Sequence, residues 1–371
     1  MLRRPPALLS AYRGFRVQLW GVPAIRCKSM TGKPPRISII TPCLNGERYL
    51  VDAIESVLRQ NYANCEHIIF DGGSTDNTGA LLRRYDHLIV VREPDEGSHD
   101  AMNAGIRRAS GDIMGFLNVD DIYPAQIFAK VATAFAANPG TDVVVGDSIV
   151  FEDVGSHRSV RFVFRHPHGV WMPECLFGNP AINACFYRRS VFTAVGLFDN
   201  GYAMSADRDF FIRMSLANVT STALNSPAAC YRAHNQSQTI NRERSNILAI
   251  AKELCRMASK AVTSPDSPQL SSASRIDPHL ARTWLAFESA RLAFLHLRRR
   301  QFAAATKIAW RYGSLWPRLP HALALRRGAR RTYRGGWNAD LSAFEERMSL
   351  AIAKTGPEAA STVFGVPQVG G

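Results

Sequence analysis

The chain has 371 residues, of which 46% are apolar and 20% charged, and its formal charge is +14; these proportions are typical of a globular protein with one large domain and an appendage, or two modest domains. Its seven cysteines are scattered and form no CxxC pair, which argues against a disulfide scaffold or a zinc site and indicates a reducing compartment. No apolar run reaches the roughly 20 residues of a membrane-spanning helix.

The first segment of the chain is basic. Residues 1–36 contain eight Lys or Arg and no acid, and they lack the apolar core and the small-residue cleavage site of a signal peptide. We predict a disordered leader over 1–33. Two alternatives stay open: coding sequence upstream of a start at Met30, and a basic arm that contacts a membrane.

Strand-like and helical segments alternate in the next hundred residues. Strands are predicted at 36–45, 66–73, 87–97 and 111–121, and helices at 47–60, 74–85, 100–110 and 123–140, the last with Pro124 in its first turn. Antiparallel strands are predicted at 142–165 and 182–187, then a helix at 205–218 and a strand at 228–239. The alternation is typical of an α/β protein with a mainly parallel sheet covered by helices.

The end of the chain is predicted to be helical and basic. Residues 256–275 include a Ser- and Pro-rich stretch and are predicted as a linker that ends a catalytic domain over 34–255. Amphipathic helices follow in a predicted appendage over 276–354, and 355–371 is a predicted disordered tail. Residues 291–334 contain twelve Lys or Arg and no acid, so the rest of the chain between the two basic ends carries net negative charge.

Polar side chains follow each of the first four predicted strands. They are Thr41 and Asn45, then Asp71, then Glu93 and Asp95, then Asn118, Asp120 and Asp121. Ligands of parallel α/β sheets bind beyond the carboxyl ends of the strands. The sequence therefore predicts a binding site at this edge of the sheet.

Two of these positions carry opposing interpretations. The adjacent carboxylates Asp120 and Asp121 suit a hard divalent cation that would relieve their repulsion, but they are also ordinary helix-capping residues. Asp71, in the segment FDGGSTDNT, can accept an N–H from a nucleotide base, or it can belong to a structural strand-turn-helix cap. The phosphate-binding patterns GxxxxGKS and GxGxxG are both absent.

The motifs TPxxN, DGGSTDxT, ExGxxDAMNxG and NxDD, in this order, resemble the family 2 glycosyltransferases with the GT-A fold. The resemblance covers roughly residues 36–240, and the forms DGGS and DAMNAG resemble the subgroup of bacterial exopolysaccharide (colanic-acid-type) and glycolipid transferases. It implies a nucleotide-diphosphate sugar donor, a Mg²⁺ or Mn²⁺ ion, inversion at the anomeric carbon, and a glycan or lipid-linked acceptor.

The resemblance also implies roles for individual residues. The donor would be bound by Thr41, Pro42, Asn45, Asp71, Gly73, Asp100, Asn103 and Asn118. The metal would be bound by Asp120, Asp121 and His234, with Asn118 standing where many relatives have an acid. Asp207 would be the general base, and Asp209 a packing acid. The alternatives are a helix N-terminal acid for Asp207 and an ordinary surface or core histidine for His234.

Two further expectations concern partners and location. The basic C-terminal helices fit an anionic membrane surface, with a solvated appendage as the alternative. Nucleic acid is disfavoured because the centre of the chain is acidic. A cytoplasmic protein, peripheral at the inner face of the cell membrane, is expected.

A nucleotidyltransferase is disfavoured because TPCLNGERYL lacks a Gly-rich basic loop, and a non-catalytic nucleotide-sugar- or nucleic-acid-binding protein on the same fold is the remaining alternative.

Overall fold

A computed structural model describes residues 34–166, 169, 172–178, 181–237, 246–263, 276–329 and 332–333. The predicted leader over 1–33 and the predicted tail over 355–371 lie outside the described residues. The predicted appendage is described as far as residue 329, together with the short strand at 332–333.

The described strands form one mixed sheet. They are β1 (Ile37–Cys43), β2 (Cys65–Asp71), β3 (Leu88–Arg92), β4 (Ile113–Phe116), β5 (Val143–Val154), β6 (His157–Phe164), β7 (Cys185–Arg188), β8 (Ser221–Arg232) and β9 (Thr332–Tyr333). Their order is β3-β2-β1-β4-β7-β5-β6-β9, with β8 paired to β5. The first four strands are parallel, β7 is antiparallel to β4 and β5, and β6 is antiparallel to β5, as predicted.

Helices follow the strands in the predicted alternation. They are α1 (Leu50–Leu58), α2 (Thr78–Leu82), α3 (Ser98–Arg108), α4 (Ile127–Ala137), α5 (Met172–Phe177), α6 (Arg189–Val195), α7 (Ala206–Leu216), α8 (Ile247–Thr263), α9 (Pro278–Arg298), α10 (Phe302–Tyr312) and α11 (Leu319–Ala329). Asp277 caps α9 by accepting the N–H of Leu280 at 2.9 Å, and Pro278 occupies its first position.

Helix α4 begins later than predicted. The sequence placed Pro124 in its first turn, but the helix starts at Ile127. The preceding residues are held by α1 and by the turn after it. Ser56 Oγ of α1 accepts the N–H of Tyr123 at 3.1 Å, and the amide of Gln60, two residues beyond α1, donates to the carbonyl of Pro124 at 2.9 Å. These long-range bonds outweigh the local preference of proline for a first helical turn.

The sheet separates the two large apolar clusters of the described residues. Ile37 and Ile39 of β1 pack with α1 and α4, whereas Ile40 packs in a second cluster that includes residues of α3, α7, α8 and α9. Alternate side chains of a strand point to opposite faces, so the two clusters lie on opposite sides of the sheet. Helices α8 to α11 therefore lie on the same side of the sheet as α3 and α7.

The C-terminal helices belong to a shared core. Trp284 and Phe287 of α9 lie in the same cluster as Phe210 and Phe211 of α7. Residues 283–289 are all buried, because α9 has α8, α10 and α11 as neighbours. The predicted linker also needs correction: α8 continues to Thr263, since no proline occurs in the segment before Pro265. Within the described part of the chain, every helix is too short or too polar to cross a bilayer.

Candidate active site

The predicted convergence of strand ends is present in the structure. Cys43, the last residue of β1, lies opposite Asp71, the last residue of β2. Strand β4 ends at Phe116, opposite Ile40 of β1, so its polar residues follow in the loop directly beyond. The polar groups after β1, β2 and β4 therefore share one edge of the sheet.

Asp71 is a fully buried acid, and one of its carboxylate oxygens accepts no hydrogen bond from the described residues. Its Oδ1 accepts the N–H groups of Gly73 (3.2 Å) and Ser74 (2.8 Å), and Gly73 adopts φ +99°, which favours glycine. Among the described residues Oδ2 accepts no hydrogen bond, although Arg92 Nε lies 3.4 Å from it. Leaving a buried carboxylate oxygen without a donor costs free energy. The arrangement suits an N–H group supplied by a ligand.

Asn45 joins the loop after β1 to the loop after β2. Its backbone N–H donates to Ser74 Oγ at 2.8 Å, and its side-chain Oδ1 accepts the N–H of Thr75 at 2.9 Å. The residue adopts φ 51°, a left-handed conformation that asparagine tolerates better than most residues. Asn45 therefore holds the shape of the pocket edge, and its predicted contact with the donor stays a prediction.

Thr41 and Pro42 are buried within β1. The Thr41 hydroxyl lies 2.9 Å from Nε2 of His67, and burial lowers the pKa of His67 to about 3, so this imidazole is neutral. Strand β4 ends opposite Ile40, so beyond that residue β1 pairs with β2. Pro42, which has no N–H to donate, lies in this part of β1. Both residues shape the strand end, and their contact with a base or ribose remains a prediction.

Asp100 and Asn103, at the start of α3, bond the loop that precedes α7. Asp100 Oδ1 accepts a hydrogen bond from the Asn200 amide at 2.9 Å. The buried amide of Asn103 bonds both the N–H and the carbonyl of Phe198, each at 2.9 Å. The predicted donor contacts of both residues stay predictions, and the structure adds a link to the segment before Asp207.

The adjacent acids Asp120 and Asp121 differ in environment. Asp121 is buried, and its carboxylate accepts three hydrogen bonds, from the N–H of Arg232 (2.9 Å) and the amides of Asn183 (2.7 Å) and Asn118 (3.1 Å). Burial, followed by the charge of Asp120, raises the pKa of Asp121 well above its usual value. An amide at position 118 can donate to this carboxylate, whereas an acid there would repel it. These contacts support a structural role for Asp121, and its predicted coordination of a metal stays a prediction.

Asp120 is the more accessible acid of the pair. Its side chain is one-quarter exposed, and its Oδ2 lies 2.9 Å from Nε2 of His234. The other ring nitrogen of His234 accepts the N–H of Gln236 at 3.2 Å, so the proton of a neutral ring is on Nε2 and is donated to Asp120. His234 thus orients Asp120, while its direct binding of a metal stays a prediction.

Arg232 is a site residue that the sequence did not reveal. Its buried guanidinium bonds the carbonyl of Asp120 at 2.9 Å and the carboxylates of Asp52 and Asp153 at 2.5 Å each. It also lies 4.7 Å from the ring centroid of Tyr49, whose ring contacts that of His234. The available signal was a basic residue after the apolar run AACY, two positions before His234.

Asp207 lies half-buried in the first turn of α7. Its Oδ1 accepts the N–H of Arg208 at 2.7 Å, and among the described residues no other hydrogen bond to its carboxylate is present. Burial, then the charges of Asp121 and Asp207, raise the pKa of Tyr231. Tyr231 therefore lies within electrostatic range of both carboxylates. Asp209 pairs instead with Arg213 at 2.7 Å.

The described residues fit a metal site that a nucleotide would complete. They bring together no group of three or more His, Cys, Asp or Glu side chains able to hold a metal ion. Mg²⁺ commonly binds through one or two carboxylates together with substrate phosphate oxygens, and Mn²⁺ prefers similar ligands. Asp120 can serve in this way, because its Oδ1 takes part in no hydrogen bond within the described chain.

Comparison with known proteins assigns the family. A model of glycosyl transferase family 2 matches residues 38–193. Over 186 residues the chain is 36% identical to the PGL/p-HBAD biosynthesis glycosyltransferase of Mycobacterium tuberculosis, a match that covers 48% of this chain and 69% of that protein. The chain belongs to glycosyl transferase family 2. A second M. tuberculosis protein, named an uncharacterized glycosyltransferase, is 30% identical to this family 2 transferase over 189 residues, covering 49% of this chain and 70% of the relative.

A solved structure supports the fold. Staphylococcus aureus TarS 1–349, crystallised in complex with UDP-GlcNAc, superposes on this family 2 transferase with a TM-score of 0.52 at 16% identity. The match covers 79% of this chain and 89% of that one. The predicted GT-A fold and the predicted glycosyltransferase class are confirmed, whereas the roles of individual residues remain predictions.

Proposed function

We propose that this transferase moves a sugar from a nucleotide-diphosphate donor, held near Asp71 and Asp120, to an acceptor hydroxyl activated by Asp207, with inversion at the anomeric carbon. The observation that carries the proposal is Asp207 itself, a half-buried carboxylate in the first turn of α7 that accepts one hydrogen bond among the described residues. In-line displacement requires a base for the acceptor proton and positive charge that stabilises the departing nucleotide diphosphate.

Each group has a distinct part in this reaction. Asp71 accepts an N–H of the base through its unused buried oxygen, which fixes the donor at the end of β2. Asp207 takes the proton of the acceptor hydroxyl as that oxygen attacks. A Mg²⁺ or Mn²⁺ ion, when bound at Asp120, supplies positive charge that stabilises the departing nucleotide diphosphate. His234 and Arg232 hold Asp120 in place, and keeping donor and acceptor aligned contributes a large share of the acceleration.

The donor site is tested by thermal unfolding with UDP, GDP and dTDP, each with and without Mn²⁺. We expect one nucleotide to raise the unfolding temperature, and to do so only when Mn²⁺ is present. A ligand at a hundred times its Kd stabilises the folded protein by about 2.7 kcal/mol. Asp71→Asn should weaken this nucleotide about tenfold, while Asp86→Asn, a change at an exposed acid after α2, should leave it unchanged. Absence of stabilisation by all three nucleotides would contradict the proposal.

A glycan or lipid-linked acceptor presented at an anionic membrane is the partner we propose for the C-terminal helices. Phe302 and Trp310 are 63% and 89% exposed and lie eight residues apart on α10, so they share one face of that helix. The segment 289–329 contains no acid and includes Arg298, Arg299 and Arg300. Exposed aromatic rings among arginines suit the headgroup region of an anionic bilayer.

Sedimentation with vesicles tests this surface. We expect the protein to pellet with phosphatidylglycerol vesicles and not with phosphatidylcholine vesicles, and salt to weaken the association. The double variant Phe302→Ser/Trp310→Ser should bind about tenfold more weakly. Leu58→Ser, which removes an exposed leucine from α1, is the matched control and should bind like the wild type. Equal binding of the double variant and the wild type would remove the surface from the proposal.

A cytoplasmic location at the inner face of the cell membrane accompanies this proposal. The six cysteines among the described residues are all free thiols, which supports a reducing compartment. The cytoplasmic leaflet carries anionic lipids that attract basic helices. Fractionation of cells should recover the protein with membranes at low salt and release it at high salt.

A further inference from the structure

The segment between α6 and α7, residues 196–205, leads into the helix that carries Asp207; we call it the entry loop. Phe198 lies near its start and is buried, with 4% of its surface exposed. Its ring centroid lies 4.7 Å from that of Phe210 on α7 and 5.6 Å from that of Phe116, the last residue of β4. Phe198 therefore packs between a strand of the donor side and the helix of the predicted base.

The backbone of Phe198 is held by one side chain of α3. The Asn103 amide donates to the carbonyl of Phe198 at 2.9 Å, and its Oδ1 accepts the N–H of the same residue at 2.9 Å. Its Nδ2 also donates to Oδ1 of Asn200 at 3.2 Å, and Asp100 accepts a hydrogen bond from the Asn200 amide at 2.9 Å. Two side chains of α3 therefore fasten the entry loop.

The amide of Asn103 has little bonding capacity left for a ligand. A carboxamide has two N–H donors and one oxygen acceptor. The nitrogen of Asn103 donates to two oxygens, its oxygen accepts one N–H, and 4% of the residue is exposed. A nucleotide could bond the N–H groups only by displacing the entry loop. These contacts favour a role in holding the loop over the donor contact that the family resemblance implies.

Without this amide, the peptide groups on either side of the Phe198 side chain would lose their partners. Within the described chain, the N–H and the carbonyl of Phe198 make no hydrogen bond other than those to Asn103. Leaving buried peptide groups unpaired costs free energy, so the entry loop would move until water reached them. That movement would also shift the Phe198 ring, which packs on Phe210 one turn after Asp207.

We propose that Asn103 is a positioning residue, which fixes Phe198 between β4 and α7 and thereby sets the place of Asp207 relative to the donor. The inference rests on the proposed function, because it takes Asp207 as the base. Asn103 touches neither donor nor acceptor in this scheme and acts through the entry loop. Transfer is sensitive to this placement, because a shift of about 1 Å in a reacting group can cost about a hundredfold in rate.

Three substitutions test this arrangement. Asn103→Leu keeps the approximate size of the side chain and removes its hydrogen bonds. Phe198→Leu keeps the backbone bonds to Asn103 and removes the ring from between Phe116 and Phe210. Gln60→Leu is the matched control, because Gln60 is also a buried amide that bonds backbone groups, in its case around the start of α4 on the other side of the sheet.

Deuterium exchange of the free protein reports the entry loop without any reaction. We expect exchange of peptides covering 196–210 to become about tenfold faster in Asn103→Leu, whereas Gln60→Leu should act on peptides covering 123–130. Urea unfolding measures whether Asn103→Leu and Gln60→Leu lose stability by similar amounts, as the similar number of lost bonds predicts.

Transfer is measured with UDP-glucose, GDP-mannose and dTDP-glucose as donors and octyl β-glucoside as the hydroxyl-bearing acceptor, in the presence of Mn²⁺. We expect kcat to fall about tenfold in Asn103→Leu and about fivefold in Phe198→Leu, with the donor KM changed less than twofold in both. In Gln60→Leu, kcat should stay within about twofold of the wild type. A loss of stability alone would not produce this difference between the two amide variants.

Three outcomes would overturn the inference. They are unchanged exchange over 196–210 in Asn103→Leu, an equal loss of kcat in Gln60→Leu, and a rise of the donor KM as large as the fall in kcat, which would assign Asn103 to donor binding. If Asn103→Leu does not fold, Phe198→Leu decides, and a normal kcat there overturns the inference. If the wild type transfers no sugar from any of the three donors, the proposed function fails, and the exchange data still decide whether Asn103 holds the entry loop.

Discussion

Two regions of the molecule are built in different ways. One is the sheet edge at the ends of β1, β2 and β4, called the donor edge, and the other is the layer of helices that carries Asp207, called the wall. At the donor edge, Asp71 ends β2 while Asn45 and Asp120 lie in the loops after β1 and β4, and the groups that bond Asp71 lie within residues 41–92. The wall is assembled from α3, α7, α8 and α9, which are distant in sequence. The residues of the donor edge can therefore be predicted from short motifs, whereas the arrangement of the wall depends on tertiary packing.

The pair Asp120 and Asp121 shows the same difference within two residues. Asp120 is the accessible acid of the donor edge, while Asp121 is buried and holds the backbone of β8 at Arg232. Neighbouring carboxylates can therefore serve separate purposes. Asp120 is suited to a ligand, whereas Asp121 links the loop after β4 to β8.

The largest expected effect is at the base. Asp207→Asn should lower kcat about a thousandfold, about 4 kcal/mol, because the amide cannot accept the hydroxyl proton. The Kd of the donor, measured by calorimetry, should change less than twofold. Asp209→Asn, which breaks the ion pair with Arg213, should lower stability and leave kcat near the wild-type value. Near-normal kcat in Asp207→Asn would assign the base to another residue.

The next effect tests whether the wall depends on the C-terminal helices. Glu288 of α9 is 1% exposed, pairs with Arg291 at 2.9 Å, and its charge also acts on the half-buried Arg208. Glu288→Ala should lower the free energy of unfolding in urea by about 3 kcal/mol, because it removes one partner of a largely buried ion pair. Glu93→Ala, which breaks an exposed pair, should cost less than about 1 kcal/mol. Equal costs would contradict the integration of α9 into the core.

A third prediction separates the adjacent acids. Asp121→Asn should lower the free energy of unfolding by about 2 kcal/mol, because its amide would face the donors that now bond Asp121. Asp120→Asn should change stability by less than about 0.5 kcal/mol and abolish the metal-dependent effect of the nucleotide. Urea unfolding and nucleotide titrations with Mn²⁺ measure both quantities. The distinction fails if the two variants lose stability equally.

A last prediction concerns the buried pair of Thr41 and His67, whose effect is small near neutral pH and grows as the pH falls. Burial holds the pKa of His67 at about 3, whereas in the unfolded chain it is about 6.5. Between these values the unfolded state binds more protons, so stability falls as pH drops below about 6.5, by up to about 1.4 kcal/mol per pH unit. His67→Gln should remove this slope and His157→Gln should keep it. Equal slopes in wild type and His67→Gln would show that other groups cause the acid sensitivity.

Much of the fold followed from local patterns. The alternation of strands and helices through residue 140 was predictable because each element carries its own hydrophobic period and polar ends. The start of α4 at Ile127 was not, because hydrogen bonds from Ser56 and Gln60 hold the residues before it. The end of α8 at Thr263 was also missed, since the Ser- and Pro-rich composition drew the predicted boundary too early.

The candidate site was predictable to a similar degree. Asp71, Asp120 and Asp207 could be named because each belongs to a motif with a defined place on a strand end or helix start. Arg232 could not, because its importance comes from partners far away in sequence. A lone arginine or histidine has no local signature that separates it from an ordinary surface residue.

The sequence by itself determined the class of fold, the family resemblance and the edge of the sheet at which polar groups meet, because these depend on periodicity and on the order of short motifs. The tertiary structure alone decided that Asp121 is buried and bonded on both oxygens while Asp120 is accessible. It also decided that the C-terminal helices share the core of α7. Burial and hydrogen-bond partners are properties of the folded chain, and both of these results depend on them.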